Sequence, residues 1–261
     1  MPRTHPPSAG EIDIWLADVS AVTAAPDVCL SVLDDSELAR YHRLRIPASR
    51  IEYAVAHFLL RTTLSRHAGI AASDWRFETD AYGRPSVLEP RAWRHLQFNL
   101  SHTDGLVACA VGVHCRLGLD VENILRPVNL PELARYALAV PEIASLDEAA
   151  ESARHRLFFQ YWTLKESYMK ADGRGLSIPL DAVWFDLSQH DPVVVFSDRC
   201  CDDPQRWQFR SHAIGEAYQL AVAVSAPTSE IDVRLHWAPG FSTPSADSPR
   251  LPLPARTVDL S

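Results

Sequence analysis

The chain has 261 residues and a formal net charge of -8, with 47% hydrophobic and 22% charged residues. An acidic chain is not built to coat nucleic acid, which proteins meet with an excess of lysine and arginine, so any anionic ligand must find a local basic patch. The composition is that of a soluble globular protein, long enough for a real core in one large domain or two small ones. No segment reaches the length of a bilayer span, and the opening MPRTHPPSAG lacks the apolar run of a secretory signal, so a cytoplasmic protein without membrane or nucleic-acid partners is expected. The cysteines (Cys29, Cys109, Cys115, Cys200, Cys201) are odd in number and form no C-x-x-C pair, and they read as reduced thiols.

The first predicted element is a half-buried strand over 12–19, where Ile12, Ile14 and Leu16 alternate with Asp13, Trp15 and Ala17. From Pro47, the positions Ile51, Ala54, Val55, Phe58, Leu59 and Thr62 recur at helical spacing, with Gly69 just past the end, and predict a long helix. Short strands follow around 75–78, 96–100 and 106–111, separated by turns such as Tyr82-Gly83-Arg84-Pro85. A second cycle starts with a strand over 116–122, passes through helices within 131–171, and finishes in strands near 183–187, 193–196, 207–212 and 218–224. Residues 230–237 suit an edge strand, and the Pro- and Ser-rich residues 242–261 suit a mobile tail.

This order predicts an α+β fold of two similar lobes in pseudo-twofold relation, each a small sheet on a long helix, with the join near Gly112 to Gly118. The lobes would span 1–115 and 116–241, with a ligand site in the cleft between them.

In Gly118-Leu119-Asp120-Val121-Glu122 the two acids stand two apart, so on a strand both leave the same face while Leu119 and Val121 enter the core. Carboxylate oxygens suit Mg²⁺, with phosphate and water completing the octahedron. The same spacing also suits the solvated face of an edge strand. In Trp162-Thr163-Leu164-Lys165-Glu166-Ser167-Tyr168-Met169-Lys170, the residues Trp162, Glu166 and Lys170 share one helical stripe. Glu166 could join the metal set or take a proton from an attacking hydroxyl, and Lys170 could neutralise a departing diphosphate. A surface ion pair beside a core tryptophan fits that spacing as well.

Phe98-Asn99-Leu100-Ser101-His102-Thr103 runs from a strand into a turn, where Ser101 and His102 could donate to phosphate. Adjacent strand positions face opposite ways and no G-x-S-x-G elbow surrounds the serine, which disfavours a Ser-His-Asp triad. Gly83-Arg84-Pro85 presents a guanidinium suited to phosphate, and the densest basic cluster runs from Arg40 to Arg50. Walker A, dinucleotide-glycine, HExxH and Cys/His metal spacings are missing from the sequence, leaving magnesium and phosphate chemistry as the candidates.

Taken in order, GRP at Gly83, FNLSHT at Phe98, GLDVE at Gly118 and WTLKESYMK at Trp162 resemble the ordered motifs of 4'-phosphopantetheinyl transferases of the surfactin-synthetase-activating type, over roughly 12–224. The resemblance implies two α+β lobes with coenzyme A as co-substrate and Mg²⁺ in the cleft. It implies Asp120, Glu122 and Glu166 as metal ligands, Glu166 also as base for a carrier serine, and Lys170 as acid or charge stabiliser for the leaving 3',5'-ADP. Arg84, Ser101 and His102 would hold coenzyme A. Arg50 is taken for one of the early basic residues, since Asp34 and Glu37 fall where some members carry lysine.

The implied reaction moves the phosphopantetheine arm to a serine of an apo acyl or peptidyl carrier protein, as fatty acid, polyketide and nonribosomal peptide pathways require, and a monomer is expected. A magnesium-dependent phosphodiesterase that splits coenzyme A with water, or a non-catalytic carrier-binding module, would use the same residues.

Overall fold

The computed structural model describes residues 5–22, 26–81, 83–174, 177–225 and 230–241. Tyr82 and the tail expected over 242–261 lie outside them. Along the chain come β1 (Glu11–Asp18), α1 (Pro26–Leu30), α2 (Asp35–Arg43), α3 (Pro47–Ala68), β2 (Arg76–Thr79), β3 (Pro85–Glu89), β4 (Leu96–Thr103), β5 (Leu106–Val113) and β6 (Arg116–Asn123). They are followed by α4 (Leu130–Ala137), α5 (Val140–Glu148), α6 (Glu151–Asp172), β7 (Val183–Asp186), β8 (Val193–Phe196), β9 (Trp207–Ile214), β10 (Tyr218–Ser225) and β11 (Asp232–Trp237).

The two long helices are punctuated by local chemistry. α3 begins on Pro47, whose fixed φ suits a first helical turn, and ends where Gly69 takes the left-handed conformation at φ 70°. α6 ends the same way at Gly173, φ 87°.

The strands form one sheet in the order β11-β1-β5-β4 and another in the order β6-β10-β9, with β2–β3 and β7–β8 as separate pairs. Side-chain alternation then builds the layers. Ile12, Ile14, Leu16, Ala108 and Ala110 of the first sheet meet Leu119, Val121, Leu220 and Val222 of the second. On its opposite face the first sheet packs Trp15, Ala17, Cys109 and Val111 against Val55, Leu59 and Leu64 of α3. The second sheet packs Ala221 and Ala223 against Phe158, Phe159, Leu164 and Tyr168 of α6. The order of layers is therefore helix, sheet, sheet, helix, the α+β architecture expected from the sequence.

Three features differ from expectation. β1 is not half-buried but covered on both faces, and its charged Asp13 is accommodated by a 3.0 Å contact with His236 Nε2 on β11. β11 runs parallel to β1 at the edge of the first sheet, so the last described strand joins the sheet formed by residues 11–113. β3, which begins at Pro85, escaped sequence reading because proline there looks like a turn and can only open a strand.

Candidate functional site

β6 organises the site. Leu117, Leu119 and Val121 point into the layer between the sheets, which turns Gly118, Asp120 and Glu122 toward α6. Gly118 lets strand and helix backbones touch: a Cβ there would lie 2.5 Å from the Ala171 nitrogen and closer still to the Ser167 carbonyl oxygen. That contact brings the stripe of Trp162, Glu166 and Lys170 over the acidic face of the strand.

The pairing across this contact is specific. Lys170 Nζ donates to Asp120 Oδ1 at 2.7 Å, to the Leu119 carbonyl at 3.0 Å and to Ser101 Oγ at 3.1 Å. Trp162 Nε1 donates to Glu122 Oε1 at 3.1 Å, and Arg126 lies 3.4 Å from Glu122 Oε2. The tryptophan, which shares the stripe with Glu166 and Lys170, packs on the α6 core, as the alternative reading had it, and also bonds a site carboxylate. Ser101 Oγ donates to Asp120 Oδ1 at 3.0 Å, so its proton is already committed to the carboxylate.

Asp120 is 5% exposed, and its Oδ2 is buried without a hydrogen-bond partner among the described residues. Glu166 likewise makes no hydrogen bond or ion pair among them. Burial, followed by repulsion from Asp120, pushes the carboxyls of Glu122 and Glu166 up to about 7. Both therefore stand poised between charged and neutral near physiological pH.

The other predicted residues take different places. His102 leaves the face of β4 opposite Ser101 and lies 3.4 Å from Glu52 on α3. Arg84 reaches α6 and β6, donating to the Ala171 carbonyl at 2.9 Å and the Leu117 carbonyl at 3.4 Å. It thus stands one residue beyond Lys170, along the same edge of β6. Arg50, half-buried, donates to the carbonyls of Leu44 and His42 before α3. Lys165, in the same motif as Lys170, is buried against Glu142 at 2.8 Å. Sequence spacing set Lys170 on the stripe with Glu166 but gave no sign that Lys165 would be buried on an acid.

Asp120, Glu122 and Glu166 supply hard oxygen donors of the kind Mg²⁺ takes, and the orphaned Asp120 Oδ2 is a carboxylate oxygen lacking a cation or donor. Among the described residues no three His, Cys, Asp or Glu side chains are already gathered as a metal cage. Donor chemistry fits the ion, and the unpaired Glu166 and Asp120 Oδ2 are the oxygens left free to close on it.

Comparison with known proteins finds similar sequences. A family model described as the 4'-phosphopantetheinyl transferase superfamily matches residues 116–223, which run from β6 through α6 to β10. The chain is 28% identical to the 4'-phosphopantetheinyl transferase HetI of Nostoc sp. over 183 residues, covering 70% of this chain and 77% of that one. It is 29% identical to the 4'-phosphopantetheinyl transferase Sfp of Bacillus subtilis over 178 residues, covering 68% and 75%. A further Bacillus subtilis 4'-phosphopantetheinyl transferase is 27% identical over 223 residues, covering 85% and 89%.

Proposed function

We propose that this chain belongs to the 4'-phosphopantetheinyl transferase superfamily and works through the carboxylates of β6 and α6 with magnesium. It moves the 4'-phosphopantetheine arm of coenzyme A to a serine of an apo acyl or peptidyl carrier protein and releases 3',5'-ADP. The observation that carries the site assignment is that α6 reaches Asp120 through Lys170 and Glu122 through Trp162 across the Gly118 contact, with Glu166 between those two on the same helical stripe and Asp120 Oδ2 unpartnered among the described residues.

Glu166, held near pH 7, is suited to accept the proton of the carrier serine hydroxyl. The serine oxygen forms its bond to phosphorus as the P–O bond of the diphosphate breaks, and 3',5'-ADP leaves with the electron pair. Lys170, beside Asp120, places its ammonium where charge grows on that leaving group. Magnesium, held by Asp120, Glu166 and Glu122, would screen the diphosphate charge and align it for in-line displacement. Arg84, His102 and Arg50 are proposed to grip coenzyme A, with His102 near its ribose phosphate.

The test is to incubate the full chain with coenzyme A and a panel of apo carriers, with and without Mg²⁺, and follow carrier mass. We expect the holo mass only with Mg²⁺, from a protein that runs as a monomer. Asp120→Ala should abolish product while keeping the fold, because removing one acid relieves repulsion as it removes a ligand. A folded protein that modifies no carrier sinks the reading; undiminished transfer in EDTA sinks the magnesium assignment.

A further inference from the structure

β6 is the outer strand of its sheet, paired with β10 on one side only. Its other edge is buried, where a polar backbone group left without a partner is costly. Side chains of β4 stand in for the missing strand. Asn99 Oδ1 accepts from the Leu119 N–H at 2.9 Å, Ser101 Oγ from the Val121 N–H at 3.1 Å, and Thr103 Oγ1 from the Asn123 N–H at 3.1 Å. The acceptors lie two apart on one strand and the donors two apart on the other, so the two pleats mesh in a single register.

The two hydroxyls do more than the amide, because a hydroxyl that accepts still has a proton to give. Ser101 gives its proton to Asp120 Oδ1 at 3.0 Å, and Thr103 gives its own to Glu122 Oε2 at 3.4 Å. Each hydroxyl therefore holds one N–H of β6 and the carboxylate of the residue just before it. Ser101, with its proton spent, has none for a phosphate.

We propose that Ser101 and Thr103 are positioning residues that aim the carboxylates of Asp120 and Glu122, with Asn99 setting the register of the comb. The FNLSHT segment then serves the acidic centre through one face of β4, leaving His102 on the other. This inference rests on reading Asp120 and Glu122 as part of a divalent-cation site.

Thr103 gives the cleanest test, since Thr103→Val keeps the shape and removes the hydroxyl, while Thr103→Ser restores it. Mn²⁺ binding to the full chain without coenzyme A, read by electron paramagnetic resonance, is compared with the Mg²⁺ activation constant, the KM for coenzyme A and the hydrogen exchange of the Asn123 amide. In Thr103→Val we expect the half-saturating concentration of both cations to rise on the order of tenfold, with KM for coenzyme A within about twofold of wild type. The Asn123 amide should exchange faster, and Thr103→Ser should return all these quantities toward wild type.

The inference is overturned if KM for coenzyme A rises while cation binding holds, if exchange quickens with no change in cation binding, or if serine fails to rescue. It is also overturned if the wild-type protein binds no Mn²⁺. Absence of carrier modification with the Mn²⁺ pattern intact would instead count against the transferase reading alone.

Discussion

Each half of the molecule buries one cation from its long helix, and the two cages correspond closely. In the first half Arg61 of α3 meets Glu37 at 2.7 Å and the carbonyls of Ala72 and Trp75, three residues apart. In the second, Lys165 of α6 meets Glu142 at 2.8 Å and the carbonyls of Leu180 and Val183, again three apart. Both acids also turn back to accept a backbone N–H three residues earlier, Asp34 for Glu37 and Ala139 for Glu142. The sequence shows no repeat, yet the same solution for tying a short helix to a long one appears twice.

The halves part company one turn further on. Where the second half carries Trp162, Glu166 and Lys170 at offsets of -3, +1 and +5 from its buried cation, the first carries Phe58, Thr62 and Arg66. Thr62 spends its hydroxyl on the Phe58 carbonyl of its own helix, and Arg66 lies over the Trp15 ring. The buried charges of the cages are satisfied, whereas Asp120 keeps a buried oxygen without a partner among the described residues. The satisfied cages serve the architecture, while the unpartnered oxygen of Asp120 lies in the acidic cluster of the proposed site.

The strongest way to break this contrast is Glu166→Gln. We expect transfer to fall by about a hundred- to ten-thousand-fold while thermal stability is kept or improved, since a carboxyl pushed up to about 7 is a cost to the folded state at neutral pH. Loss of stability in step with activity would make Glu166 an architectural residue. Next come the cages: Glu142→Ala leaves Lys165 buried without its acid, at a cost of about 3–5 kcal/mol in urea unfolding, and Glu37→Ala, which leaves Arg61 with Asp34 at 3.0 Å, costs less. Loss in only one of the two variants would end the correspondence.

The smallest effect is the pH profile. Glu122 and Glu166 stand near 7 in the folded chain against an ordinary 4.5, so between those values the folded state holds more protons than the unfolded chain. Without a divalent cation their contribution is fully present below about 4.5 and is lost as pH rises through 7, so stability should fall over that window. Magnesium at pH 8 should recover the loss by favouring the charged carboxylates. Urea midpoints measured in EDTA and in Mg²⁺ that follow the same curve would remove the site from the comparison.

Much of the frame could be read from the chain. The helical spacing after Pro47, with Gly69 beyond it, gave α3 within a residue, because caps and periodicity are properties of local backbone. The D-x-E spacing and the stripe of Trp162, Glu166 and Lys170 likewise predicted which side chains share a face. The strand at Pro85 and the helix from Asp35 were not drawn, although Asp34 and Glu37 form the D-x-x-E capping box that marks a helix start.

The sequence by itself determined the α+β order, the long helices and the direction in which each side chain leaves its backbone. Only the tertiary structure decided what each side chain meets: that Lys165 is locked in a cage while Lys170 reaches Asp120, and that Ser101 serves β6 while His102 faces α3. Local geometry fixes a side chain's direction within a turn or a pleat. Its neighbours, and with them its desolvation and its charge, depend on segments brought together from far along the chain.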